Sequence, residues 1–268
     1  MGPLLWIVSL ATIAIGVAFF HEEKAFAQTD AAADDAPVVL ELFTSEGCSS
    51  CPPADALLSQ LGSSDKRLIP LAFHVDYWNH LGWSDPFSSP QWSERQSAYA
   101  HTMNVSGDYT PQMVIDGGWQ GVGSDRRSIE GAVRAARSEA ALDRITLHTN
   151  LDAAKPRTLQ VKVNVQILRT SVDAGPLVVM LAIYESGLIS NIESGENGGR
   201  QLTYDYTVRR LLSAFELKAE KGTTATRELN IDLDPGWSVD HLGAVAFIQD
   251  LASMRIDGAT AEYPIARN

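Results

Sequence analysis

The chain has 268 residues, with 33 Asp and Glu against 21 Lys and Arg, a formal net charge of −12 and 45% hydrophobic residues. That length allows a well-buried core and makes two domains a fair prior. An acidic chain with no concentrated basic stretch has nothing with which to neutralise a phosphate backbone, so nucleic acid is not an expected partner.

The first element is expected to lie outside the fold. Residues 4–20 carry no charge and are followed by His21-Glu22-Glu23-Lys24 and then Ala25-Phe26-Ala27. That small-x-small triplet has the form of a signal-peptidase site, so residues 1–27 read as a signal peptide and the mature chain starts at Gln28. No Lys or Arg precedes the apolar run, which keeps an uncleaved anchor as the competing reading. Export implies a periplasmic or secreted protein. No second long apolar segment follows, so no membrane span is expected once the signal is removed. Residues 28–36, rich in Ala and Asp, read as a flexible leader.

Residues 38–43 hardly alternate, which predicts a strand buried on both faces, with Glu41 as the exception. The turn after it carries Cys48 and Cys51, the two cysteines of the chain. Pro52 suits the first position of a helix, Leu57, Leu58 and Leu61 form its apolar stripe, and Gly62 is expected to end it. Strand, Cys-x-x-Cys and helix in that order is the local layout of a thioredoxin-type redox site. Residues 68–75 read as a second strand, parallel to the first. An irregular aromatic stretch, 76–90, leads into a helix over 91–101. Thr110-Pro111 opens a third strand, and Asp116-Gly117-Gly118 turns it into a hairpin. Ser124 or Asp125 caps a helix with Ile129, Val133, Ala136 and Ala140 on its apolar side. The order β-α-β-α-β-β-α predicts an α/β thioredoxin-like domain over 37–142.

Beyond Arg144 the period changes to two. Segments 146–152, 158–168, 177–186, 225–233, 242–249 and 254–263 are separated by turns such as Asp173-Ala174-Gly175-Pro176 and Asp234-Pro235-Gly236. They predict an all-β sandwich-like domain over 143–268.

The chemistry concentrates on the cysteines. Outside the cytosol disulfides persist, and both thiols stand in one motif. Closing so small a loop stabilises by about 2 kcal/mol, enough for a structural staple as well. In the redox reading Cys48 is exposed and nucleophilic, favoured by the helix N-terminus, and Cys51 resolves the mixed disulfide. A nearby Glu46 opposes this by raising the thiol pKa. Pro111 is expected to be cis and to shape a groove for extended peptide, against the ordinary trans form. Glu41 either moves the Cys51 proton or is a partly solvated strand glutamate. His74, Asp76 and His80 leave the second strand; Cys48, Cys51 and His74 make an alternative soft-metal set for copper, against a hydrogen-bonded structural histidine. Trp78, Trp83, Phe87 and Trp92 either wall a groove or pack loops. Gly195-Glu196-Asn197-Gly198-Gly199-Arg200 lacks the context of a phosphate loop and reads as a turn.

Phe43-Thr44-Ser45-Glu46-Gly47-Cys48-Ser49-Ser50-Cys51-Pro52-Pro53-Ala54-Asp55 resembles the signature of an exported bacterial family described as a domain of unknown function, DUF1223. His74-Val75-Asp76-Tyr77-Trp78-Asn79, Tyr109-Thr110-Pro111-Gln112 and Gly195-Glu196-Asn197 are similar to its other blocks. The resemblance covers nearly all of the mature chain and implies a thioredoxin-like fold, secretion and one Cys-x-x-Cys, but no established activity. The expected function is therefore an exported thiol–disulfide oxidoreductase without a cofactor, acting on a thiol- or disulfide-containing protein or small molecule. A non-catalytic binding module with a structural disulfide and a copper-binding chaperone are the alternatives.

Overall fold

The computed structural model describes Gly2 and residues 36–139, 143–168 and 175–266. The rest of the expected signal peptide, the leader over 28–35, the helix position Ala140 and the turn residues Asp173 and Ala174 lie outside the described residues.

The first half contains β1 (Val38–Thr44), α1 (Pro52–Ser64), β2 (Leu68–His74), α2 (Pro90–Thr102), β3 (Gln112–Ile115), β4 (Trp119–Val122) and α3 (Arg126–Ser138). Every residue of β1 and β2 is buried, as the lack of alternation implied for β1. The two strands are parallel, and β3 and β4 add antiparallel on the far side of β1. Proline opens α1 and α2, where its missing N–H is no loss. Asp125 caps α3, its carboxylate accepting from the Ser128 N–H at 3.2 Å. Gly62 lies inside α1 instead of ending it. A Cβ there would come within 2.6 Å of Pro70 and 2.7 Å of the Tyr206 hydroxyl, so glycine is what lets the helix approach β2 so closely.

The second half contains β5 (Arg144–Asp152), β6 (Lys155–Gln166), β7 (Leu177–Glu185), β8 (Leu188–Asn191), β9 (Gln201–Tyr204), β10 (Thr207–Leu217), β11 (Thr224–Asp232), β12 (Leu242–Asp250) and β13 (Ile256–Glu262). Four of these strands continue the sheet of the first half, in the order β13-β12-β7-β10-β2-β1-β3-β4. The join is β10 on β2, parallel, with Thr207 opposite Ala72. The Ala72 N–H donates to the Tyr206 carbonyl at 2.8 Å.

This corrects the expected fold class, an α/β thioredoxin-like domain followed by a separate all-β sandwich-like domain. Strands from both sides of position 143 share one eight-stranded mixed sheet, and both halves fall in one compact unit. The physical reason lies at β2. Left as an edge it would present a row of unpaired N–H and C=O groups, and the start of β10 closes on that edge at Ala72.

The cores follow the pleat. Val39 and Phe43 of β1 join Leu71 and Phe73 of β2, Met180 of β7 and Phe247 of β12 in one cluster under Trp92 and Tyr99 of α2. On the opposite face Leu40 and Leu42 pack on Leu58 of α1 and Ile129 of α3. At the other end of the sheet, that face meets a three-stranded sheet, β11-β6-β5, through Val179, Leu181, Leu159 and Val163.

Candidate functional site

Cys48 and Cys51 close a disulfide with a Cα–Cα distance of 5.4 Å at the start of α1. The Ala54 and Asp55 N–H groups donate to the Cys51 carbonyl at 2.8 and 3.1 Å, so the first helical turn begins at the second cysteine. Contrary to the expectation of an exposed nucleophile, neither cysteine has any solvent exposure (0% each). Their cover comes from the turn between β8 and β9. The Asn197 side-chain amide donates to the carbonyls of Glu46 and Cys48, at 2.9 and 3.0 Å. The Ser49 N–H donates to the Glu196 carboxylate at 3.0 Å, and the Ser49 side chain, then this N–H, hold that carboxyl below its ordinary pKa. The Ser194 hydroxyl fastens the same turn to the Gly82 carbonyl at 2.5 Å. Between the cysteines, Ser49 and Ser50 are exposed.

Behind the disulfide stands a buried cluster of ionisable groups. The parallel register pairs Thr44 with His74 at the carboxyl ends of β1 and β2. His74 Nδ1 lies 2.7 Å from an Asp85 oxygen, with both side chains wholly buried. Burial lowers the His74 pKa, but the charge and hydrogen bond of Asp85, with the charges of Asp55 and Glu46, together outweigh it and hold the imidazole above its ordinary value. Burial raises Asp85 in turn, and the His74 charge with the hydrogen bonds from His74, Glu46 and Phe87 holds it below the usual range. Asp85 also accepts from the Glu46 N–H at 2.9 Å and the Phe87 N–H at 2.8 Å. The Glu46 carboxylate accepts from the Trp83 indole N–H at 2.6 Å; burial and then the Asp85 charge push its pKa up. Asp55 of α1 is pushed up to about 7 by burial, against the pull of His74 and the Thr44 hydroxyl. His74 Nε2, Asp55 Oδ1, Glu46 Oε1 and the Tyr204 hydroxyl are buried without a hydrogen-bond partner. Tyr204 of β9 stands edge-on to His74 at 4.9 Å, and Phe87 does so at 5.5 Å.

Of the sequence-predicted residues, Cys48 and Cys51 are bonded to one another, Pro111 lies near Ala54 of the same helix, and Glu41 stands on the other face of the sheet. The Thr110–Pro111 bond is cis. A Cβ on Gly123 would lie 3.1 Å from Pro111 and 3.2 Å from Ala54, which places Pro111 beside the first turn of α1. Glu41 shares the α2 face with Val39 and Phe43, opposite the face that α1 covers. There it accepts from Arg95 Nε at 2.7 Å and from the Tyr99 hydroxyl. Arg95 also reaches Gln249 at 3.1 Å. Glu41 is thus the anion of a buried ion pair, not a proton carrier for Cys51. His74 has one ring nitrogen committed to Asp85, and among the described residues no group of three or more His, Cys, Asp or Glu is gathered to hold a metal ion. Trp92 belongs to the core, Trp78 lies against Gly47, and Trp83 and Phe87 close over the acidic cluster. Asp55, Asp85, Asn197 and Tyr204 were given no role by sequence reasoning. For Asp55 the signal was present, an acid four residues after Cys51 on a predicted helix. Asp85 and Tyr204 carry no such signal, because their partners are distant in sequence.

The profile of a family described as "Protein of unknown function (DUF1223)" matches residues 39–249. The chain belongs to the DUF1223 family. Among solved structures it is similar to Protein AGR_C_4864 from Agrobacterium tumefaciens, with 26% identity and a TM-score of 0.67 over 84% of this chain and 94% of that one. It is also similar to HBP35 of Porphyromonas gingivalis, with 17% identity and a TM-score of 0.63 over 85% of this chain and 75% of that one. Coverage on this scale takes in strands from both halves of the sheet, in keeping with a single architecture. No curated protein matches the chain. Among the described residues no helix is long and apolar enough to cross a membrane.

Proposed function

We propose that this DUF1223 protein is an exported thiol–disulfide oxidoreductase that exchanges its Cys48–Cys51 disulfide with the thiols of a protein or small-molecule partner. The observation that carries the reading is the position of the pair at the first turn of α1, where a helix N-terminus stabilises a thiolate. Pro111 beside that turn supports it as part of the partner groove. Export is supported by the Ala25-Phe26-Ala27 triplet and by a disulfide that persists in an oxidising compartment. Because both cysteines are covered, a partner has to displace the 194–200 turn before exchange.

The test is insulin reduction and oxidative refolding by the wild-type chain and by Cys48→Ser. Turnover that is lost in the variant is expected; equal activity in the two would sink the reading.

A second reading, a permanent staple in a non-catalytic binding module, is favoured by the complete burial of both cysteines. It requires a reduction potential below about −300 mV, where structural disulfides lie.

A further inference from the structure

Asp55 follows Cys51 by four residues, and Cys51 already has helical backbone angles, φ −77° and ψ −39°. A step of four along a helix brings two side chains onto one face. Both residues are buried, and Asp55 Oδ1 has no hydrogen-bond partner. We propose that Asp55 exchanges a proton with Cys51 Sγ as the disulfide opens and closes, a role that rests on the oxidoreductase reading of the same site.

In the reducing direction a partner thiolate bonds to Cys48 Sγ, the Sγ–Sγ bond breaks, and its electron pair leaves on Cys51. The Asp55 carboxyl gives its proton to that thiolate and remains as a carboxylate. In the oxidising direction a partner is held on Cys48 as a mixed disulfide. The Asp55 carboxylate takes the Cys51 proton, Cys51 Sγ attacks Cys48 Sγ, and the partner leaves as a thiolate. The groups facing Asp55 come from several elements: Thr44 of β1, His74 of β2, Glu46 and Asp85 from the adjoining loops, and Tyr204 of β9. The imidazolium of His74, held by Asp85, tempers a carboxyl that burial would otherwise keep protonated. Its pKa of about 7 makes both forms available near neutral pH, as an acid–base group requires.

Reduction of the full chain by dithiothreitol, followed from about pH 5 to 9 and divided by the dithiothreitol thiolate present, tests the role. The normalised rate constant of the wild type is expected to fall through an inflection near pH 7, and Asp55→Asn is expected to remove the inflection and slow reduction at least about tenfold below it. Asp55→Glu should recover part of the rate. An inflection unchanged in Asp55→Asn, or absent from the wild type, overturns the proposal. Should Asp55→Asn fail to fold, the carboxyl carbon of Asp55 is titrated by NMR in the oxidised and reduced wild type. A pKa that rises on reduction is expected, and one that does not move overturns the proposal. A disulfide that dithiothreitol cannot reduce overturns this proposal and the oxidoreductase reading together. Reduction without turnover of protein disulfides sinks only the latter.

Discussion

Arg95 shows how much one buried side chain can connect. Its guanidinium pairs with Glu41 of β1, reaches Gln249 of β12, and lies over the rings of Phe73, Tyr99 and Phe247 at 5.6, 5.2 and 5.6 Å. Residues from both halves of the chain therefore depend on one cation. Burial alone would lower its pKa, but the Glu41 charge, Tyr99 and the Glu41 hydrogen bond together outweigh burial and keep it above its ordinary value. Removing one member of such a pair leaves the other charge buried and alone. Arg95→Met is expected to cost about 3–5 kcal/mol in urea unfolding, and Glu41→Leu in the same chain should recover most of the loss. A loss below about 1 kcal/mol for the single variant would show that water reaches Glu41.

At the scale of elements, the turn between β8 and β9 is the cover of the disulfide. Asn197→Ala removes both amide donors to the Glu46 and Cys48 carbonyls. Two modest hydrogen bonds of this kind correspond to about 1.4 kcal/mol, or tenfold in rate. Reduction of Cys48–Cys51 by glutathione, followed by acid quench and thiol titration, should therefore run about tenfold faster in Asn197→Ala. An unchanged rate would mean that another segment limits access. Elements differ in how readable they were. The β3–β4 hairpin and the α1 start announce themselves through Asp116-Gly117-Gly118 and Pro52, because turn and cap chemistry is local. The strand that joins the halves, β10, was missed. Its register against β7 shifts between Val208 and Arg210 and again between Ser213 and Phe215, so its side chains do not alternate. A period-2 search passes over such a strand.

For the molecule as a whole, acids shifted by desolvation, Asp55 buried and Asp116 half-buried, set the response to pH. Burial raises Asp55 and Asp116 from 3.8 to about 7. The unfolded chain ionises these groups first, so their contribution to stability is lost as pH rises from about 4 towards 7. His74, held above 6.5 by Asp85, contributes below that pH and loses its contribution as pH rises through its folded value. Asp85 and Asp65 are shifted downward, so their contributions are present above 3.8 and fade only as pH falls below it. The sum favours mildly acidic solution. One pKa unit is about 1.4 kcal/mol, and 1 kcal/mol moves the melting temperature of a chain near this size by roughly 2–4 °C. A fall of at least about 5 °C between pH 5 and pH 8 is expected by calorimetry, with a smaller fall in Asp116→Asn. A flat profile would contradict the raised pKa of both acids.

The sequence by itself determined the local features: the buried β1 strand, the cysteine pair at a helix start, the Thr110-Pro111 entry to β3, and the blocks that mark the family. Each depends on residues within a few positions of one another. Tertiary structure alone decided that β10 completes β2, that Glu41 faces α2 while Thr44 faces α1, and that Asn197 seals a disulfide about 150 residues away in sequence. Periodicity records that a side chain is buried, but not the surface it is buried against. That surface is set by long-range strand pairing, in which one position along β1 exchanges the face carrying α2 for the face carrying α1.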